Sequence, residues 1–145
     1  MKKGCLTAAL AVMLALLTLL AAAPAVNDRA AKKVAKDLEA LPLPADTMRL
    51  ETVYRAGKLV GCGNGMQYFG GMLLESGLPL EELRDYYAGF PNREYTVEPQ
   101  RGQEIALVEH GTLAFETKVA GNRFFLVYDW GTNDTIFHEL DLRGH

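Results

Sequence analysis

The sequence predicts an α+β fold, with an apolar export or anchor helix at the N-terminus. A two-layer domain follows, in which one main helix packs on an antiparallel sheet. Three observations carry this reading. Residues 5–23 form an apolar run directly behind Lys2 and Lys3. Beyond residue 46, most segments alternate apolar and polar residues with the period of two that marks half-buried strands. Residues 79–90 carry instead the spacing of a helix with one buried stripe.

The N-terminal run, CLTAALAVMLALLTLLAAA, is interrupted only by Thr7 and Thr18. A charged start followed by an apolar stretch is the layout of a signal peptide or signal anchor. The two lysines stay in the cytoplasm and the rest of the chain is sent out. As a helix, about 20 residues reach ~30 Å, enough to cross a bilayer. Ala23-Pro24-Ala25 fits a small-x-small cleavage pattern with Val26 as the new first residue, while the length of the run favours retention. A lipoprotein signal is excluded, because Cys5 opens the run instead of following it. The expected organisation is therefore a signal peptide or signal anchor over 1–26, a helical stalk or linker over 27–45, and an exported α+β domain over 46–145. The domain would sit outside the cell membrane or be secreted.

Residues 27–41 read as a helix with Asn27 as N-cap and Asp28 in its first turn. Ala30, Ala31, Val34, Leu38 and Leu41 share one side, and Arg29, Lys32, Lys33 and Lys36 lie elsewhere. This is expected to be a stalk, a membrane-surface helix or a solvated spacer, ended by Leu41-Pro42-Leu43-Pro44. Residues 48–56 alternate as a strand, with Met48, Leu50, Thr52, Tyr54 and Ala56 on one side. Residues 57–65 form a loop, and residues 66–74 a strand interrupted by Gly70-Gly71, which suggests a bulge or close backbone packing. The helix follows, with Pro79 at its start, Glu81 and Glu82 in the first turn, and Leu80, Leu83, Tyr86, Tyr87 and Phe90 as its stripe. Gly89 suits its C-cap. Short strands are expected around Tyr95 and Val97 and over 105–108. Residues 113–119 and 124–130 should pair through a type II′ turn at Gly121-Asn122, and residues 136–142 should form a last strand.

The chain of 145 residues leaves roughly 120 for one domain and one core once the export segment is set aside. All 18 acidic residues lie beyond Val26, against 13 of the 15 basic ones. That acidic balance argues against nucleic acid as a partner, since phosphates demand a basic patch.

The densest local feature is GKLVGCGNGMQYFGG over residues 57–71. Its glycine spacing misses the dinucleotide fingerprint, and no Gly-Lys-Ser/Thr follows for a phosphate loop. Asn64-Gly65 is a hairpin signal, and bare backbone here would also let a ligand or partner strand approach. The candidate binding residues are Gly61, Cys62, Gly63, Asn64, Gly65, Gln67, Tyr68 and Phe69. Cys62 is the only cysteine outside the export segment, so it is buried and inert, a free thiol, or half of an intermolecular bridge. A nucleophilic role would need His110 or His138 as base. Ser76 lacks the G-x-S-x-G elbow. Glu109-His110 and His138-Glu139 lack metal-ligand spacing, and Asp129, Asn133 and Asp134 do not follow a calcium loop. No cofactor and no metal is expected.

LPLPADT, GKLVGCGNGMQYFGGMLLES and LPLEELRDYY together resemble a group of small, uncharacterised exported proteins of Gram-positive gut bacteria. The resemblance covers residues 41–90 best. It implies export and brings no activity, and Cys62 stands where a polar residue such as asparagine would be expected. The functional expectation is an exported, membrane-tethered, non-catalytic interaction or ligand-binding module. Its partners would be the membrane through residues 5–23, and a protein or a second copy through the glycine-rich loop or a sheet edge. The alternative is an extracytoplasmic enzyme using Cys62 with a histidine base.

Overall fold

The computed structural model describes residues 2–61, 65–91 and 93–145, with side chains from residue 7 onward. Cys62, Gly63 and Asn64, and the turn expected at Asn64, lie outside the described residues. The fold is α+β: a long N-terminal helix, an antiparallel sheet and short helices.

Helix α1 runs unbroken over Lys2–Glu39 with Pro24 inside it. The apolar run and the expected stalk are therefore one helix. Residues 7–21 are exposed throughout, whereas Ala23, Asn27, Ala31, Val34, Ala35 and Leu38 are buried. The expected stripe is present, but it packs on the sheet and is neither a stalk nor a solvated spacer. Asn27 is an interior helical residue and not an N-cap, because its side chain is engaged across the core and the helix has no break at which to cap.

Four strands follow: β1 (Thr47–Gly57), β2 (Gln67–Ser76), β3 (Thr96–Pro99) and β4 (Phe124–Gly131). Their order is β1-β2-β4-β3, and every pair is antiparallel. Helix α2 (Leu80–Ala88) lies between β2 and β3 in the chain, and α3 (Ile136–Leu140) with a 3₁₀ turn (Leu142–Gly144) ends it. The helical face is sealed by Leu38 of α1 and by Leu83 and Tyr87 of α2 over Met72, Leu74 and Val127. Gly89 closes α2 with its N–H on the Tyr86 carbonyl. On the opposite face Ile105, Val108, Phe115 and Val119 cover Phe69, Leu73 and Leu126.

Close packing explains the Gly70-Gly71 doublet, whose register runs on without a bulge. A Cβ at Gly70 would stand 2.7 Å from the Ala35 backbone nitrogen, and one at Gly71 would stand 2.8 Å from the Phe69 ring. Gly131 is the matching gap on β4, where a Cβ would meet a Val34 methyl at 2.4 Å. Glycine on two neighbouring strands lets the α1 backbone lie directly on the sheet.

Three expected strands are absent. Residues 113–119 bury Phe115 and Val119 with the expected alternation, yet pair only through one bridge, Glu104 to Ala114. Residues 105–108 form no strand, and residues 136–142 are helical. β1 exists, but a register shift between Arg49 and Glu51 alters its facing. Leu50 and Val53 consequently pack on the coil side, and Met48 and Tyr54 are exposed.

Candidate functional site at the helix–domain junction

The glycine-rich stretch does not form one surface. Gly61 is exposed; its N–H donates to Glu109 Oε2 (3.0 Å), and its carbonyl accepts from His110 Nε2 (2.7 Å). Gly65, at φ +135°, donates its N–H to the Gly144 carbonyl (2.6 Å). Gln67 closes the loop from within: its Oε1 accepts from the backbone N–H of Leu59 and of Val60, each at 2.8 Å. Tyr68 and Phe69 are buried, on opposite faces of β2. Phe69 packs its ring against Trp130, with centroids 5.1 Å apart. Tyr68 and Phe69 are thus core residues and not part of an exposed loop, since a central strand buries both faces. The neighbouring edge also needs correcting: β2 pairs on both sides, and the sheet edges are β1 and β3.

The stretch does contribute Tyr68 to a polar cluster where α1 enters the domain. The Tyr68 hydroxyl donates to Asn27 Oδ1 (2.9 Å), and Asn133 Nδ2 donates to the same oxygen (2.8 Å). Asn27 Nδ2 donates to Asp141 Oδ2 (2.9 Å) and to the Phe137 carbonyl (2.8 Å). The buried Asn27 amide therefore has every donor and acceptor position filled by protein. His138 Nδ1 lies 3.2 Å from the Tyr68 hydroxyl. One hydroxyl proton serves one acceptor, so with Asn27 taking it, His138 presents Nδ1–H to the phenol oxygen.

Asp141 is buried and bound by the Arg143 guanidinium (2.8 Å) and backbone N–H (3.1 Å). Burial pushes its carboxyl up, but the hydrogen bonds from Arg143 and Asn27 outweigh this and hold it down at about 2. Arg143 also pairs with Asp28 (2.8 Å) and donates to the Pro24 carbonyl (3.1 Å). Burial raises the Tyr68 hydroxyl, which stays protonated. The arrangement fixes the chain's last residues onto α1 and keeps one buried carboxylate charged.

The other candidates are spent structurally or lie apart. Ser76 shares its Oγ with Thr47 Oγ1 (2.7 Å) and accepts the Leu78 N–H (3.1 Å) in a turn. Among the described residues, no group of three His, Cys, Asp or Glu side chains converges. His110 sits on Gly61, and a Cβ at Gly65 would stand 3.8 Å from His138 Nε2. Sequence reasoning missed Asn27, Asp28, Asn133, Asp141 and Arg143 as a group. One signal was readable: Ala23, Asn27, Ala31 and Ala35 recur every four residues, which places Asn27 inside a buried stripe.

Comparison of the chain with family models, curated proteins and solved structures finds no match. The functional reading rests on the chain's own residues.

Proposed function

We propose that the protein is a membrane-anchored extracytoplasmic domain that acts by holding a protein partner, without catalysis. The observation that carries this is the division of α1: one continuous helix, with an apolar half exposed on all sides and a second half that is domain core. Thr7–Glu39 is long and apolar enough to cross a membrane. Retention is supported by the domain's grip before and after Val26: Ala23 is buried and Arg143 holds the Pro24 carbonyl on one side, and Asn27 and Asp28 are bound by Asp141 and Arg143 on the other. The saturated Asn27 amide supports an architectural role, because a substrate would find no free hydrogen-bonding position on it.

The partner surface we favour is the outer edge of β1. Among the described residues no backbone group pairs with it between Met48 and Ala56, and Met48 and Tyr54 are exposed on it. α1 runs antiparallel to β1, with Ala31 beside Ala56 and the Glu39 carbonyl on Arg49. Antiparallel pairing of two β1 edges would send the two spans in opposite directions, which favours a different protein over a second copy in the same membrane. N-terminal sequencing and carbonate extraction of the membrane fraction test the anchor; a mature start at Val26 would sink it. Tyr54→Lys with Met48→Lys should weaken partner capture at unchanged membrane yield, and unchanged capture removes the edge.

The second reading, an enzyme using Cys62, draws on His110 and His138 standing at Gly61 and Gly65, on either side of that residue in sequence. Iodoacetamide labelling of the folded protein decides it: a thiol that resists labelling ends the enzyme reading. Migration as a monomer on a non-reducing gel likewise rejects a covalent dimer through Cys62.

A further inference from the structure

We infer that the C-terminal segment, α3 and the 3₁₀ turn, is a foot that rests on the bilayer surface beside the span; this rests on α1 being retained as an anchor. Two observations meet here. Ile136 (63% exposed) and Leu142 (79% exposed) are the most exposed large hydrophobic residues outside the apolar half of α1. Leu142 adjoins Arg143, whose guanidinium donates to the Pro24 carbonyl, and the Phe137 carbonyl receives Asn27.

The level of these contacts decides the occupant. From Lys3, residues 4–23 rise about 30 Å, the thickness of the hydrocarbon core, so Pro24 falls at its outer boundary. The foot is hydrogen-bonded to α1 at Pro24 and Asn27, within about 5 Å of that boundary along the helix. Apolar side chains displayed there meet the headgroup region, where an apolar surface a few ångström deep is favourable. An open cleft of about 430 Å³ beside it is lined by Arg55 and Lys58, with Tyr54 and the Asp28–Arg143 pair, and offers the Arg55 and Lys58 cations to lipid phosphates. Bilayer contact at the foot would fix the domain's rotation about the span, which one helix alone leaves free.

The test uses the full chain with Cys5→Ser and Cys62→Ser, in nanodiscs of equal parts phosphatidylcholine and phosphatidylglycerol. A fluorophore is placed by Leu14→Cys, Leu142→Cys or Arg101→Cys; all three sites are exposed, so the fold is retained. Tail-nitroxide lipid should quench the Leu14 probe. Headgroup-nitroxide lipid should quench the Leu142 probe about twofold or more, as interfacial insertion requires, and leave the Arg101 probe bright. A bright Leu142 probe beside a quenched Leu14 probe overturns the foot and leaves the anchor standing. A bright Leu14 probe overturns both. A Leu142 probe untouched by lipid nitroxide yet shielded from iodide means that another protein surface covers it, which also overturns the foot.

Discussion

Residues 7–21 and 23–38 of α1 lie on one helix and differ in exposure. The first half is apolar on every side apart from Thr7 and Thr18 and is exposed throughout. The second is apolar along one stripe, with Arg29, Lys32, Lys33 and Lys36 away from it, and lies on β2 and β4 over Gly70 and Gly131. Helix propensity does not separate the two halves. What separates them is how far the apolar surface extends around the axis: all round in the first half, along one side in the second. Asn27 marks the change, a polar residue admitted to the stripe because four hydrogen bonds meet it there.

The strongest way to break the division is to push α1 off the sheet. Gly70→Val puts side-chain atoms into the Ala35 backbone, and should cost ~3 kcal/mol or more of domain stability in urea unfolding. The same substitution made in both halves is the sharper comparison. Leu38→Ala empties a buried site and should cost ~3 kcal/mol. Leu17→Ala, at an exposed site, should leave domain unfolding within about 0.5 kcal/mol. Equal effects would show that the halves are not distinct.

At the boundary, Asn27→Leu takes the acceptor from the Tyr68 O–H and from Asn133 Nδ2 and one donor from Asp141, which keeps Arg143, and should cost about 2 kcal/mol. Membrane retention should stay unchanged, checked by carbonate extraction. The Asp141 carboxylate adds a pH dependence. Asp141 is held at about 2 in the folded state, below its ordinary value of 3.8, so the unfolded chain takes up the proton first. Its contribution is present above about pH 5 and fades as pH falls towards 2, by up to about 2 kcal/mol. Asp141→Asn should flatten that part of the stability–pH curve; an unchanged slope would assign it to other carboxylates.

The regular parts of the fold were legible because the backbone satisfies itself there. The apolar run announces itself by length, and the α1 stripe, β1, β2, α2 and β4 by their patterns. Residues 100–120 do not, although Phe115 and Val119 are inward as their alternation requires. Their backbone is held by side chains: Glu51 accepts the N–H groups of Glu116 and Thr117, and Gln103 donates to the carbonyls of Phe115 and Glu116. Gln100 likewise donates to the carbonyls of Gly102 and Glu104. Bonds from side chains as distant in sequence as Glu51 leave no periodic trace, and alternation alone does not tell this coil from a strand. The junction was hidden for the same reason. Asn27 and Asp141 are 114 residues apart in sequence, and no local pattern joins them.

The grip across Pro24 also has a mechanical side. Proline leaves the Leu20 carbonyl without its helical donor, and an unsupported helix would flex there. Arg143 on the Pro24 carbonyl and the burial of Ala23 splint that point from outside. The helix and the sheet standing along it then move as one lever. Spans tilt by about 20° from the bilayer normal, and the ~22 Å from Pro24 to Glu39 turns that angle into a sweep of about 8 Å at the far end of the domain. Were the helix a span, a change of tilt would thereby carry the outermost loops sideways over the membrane surface while leaving their height almost unchanged.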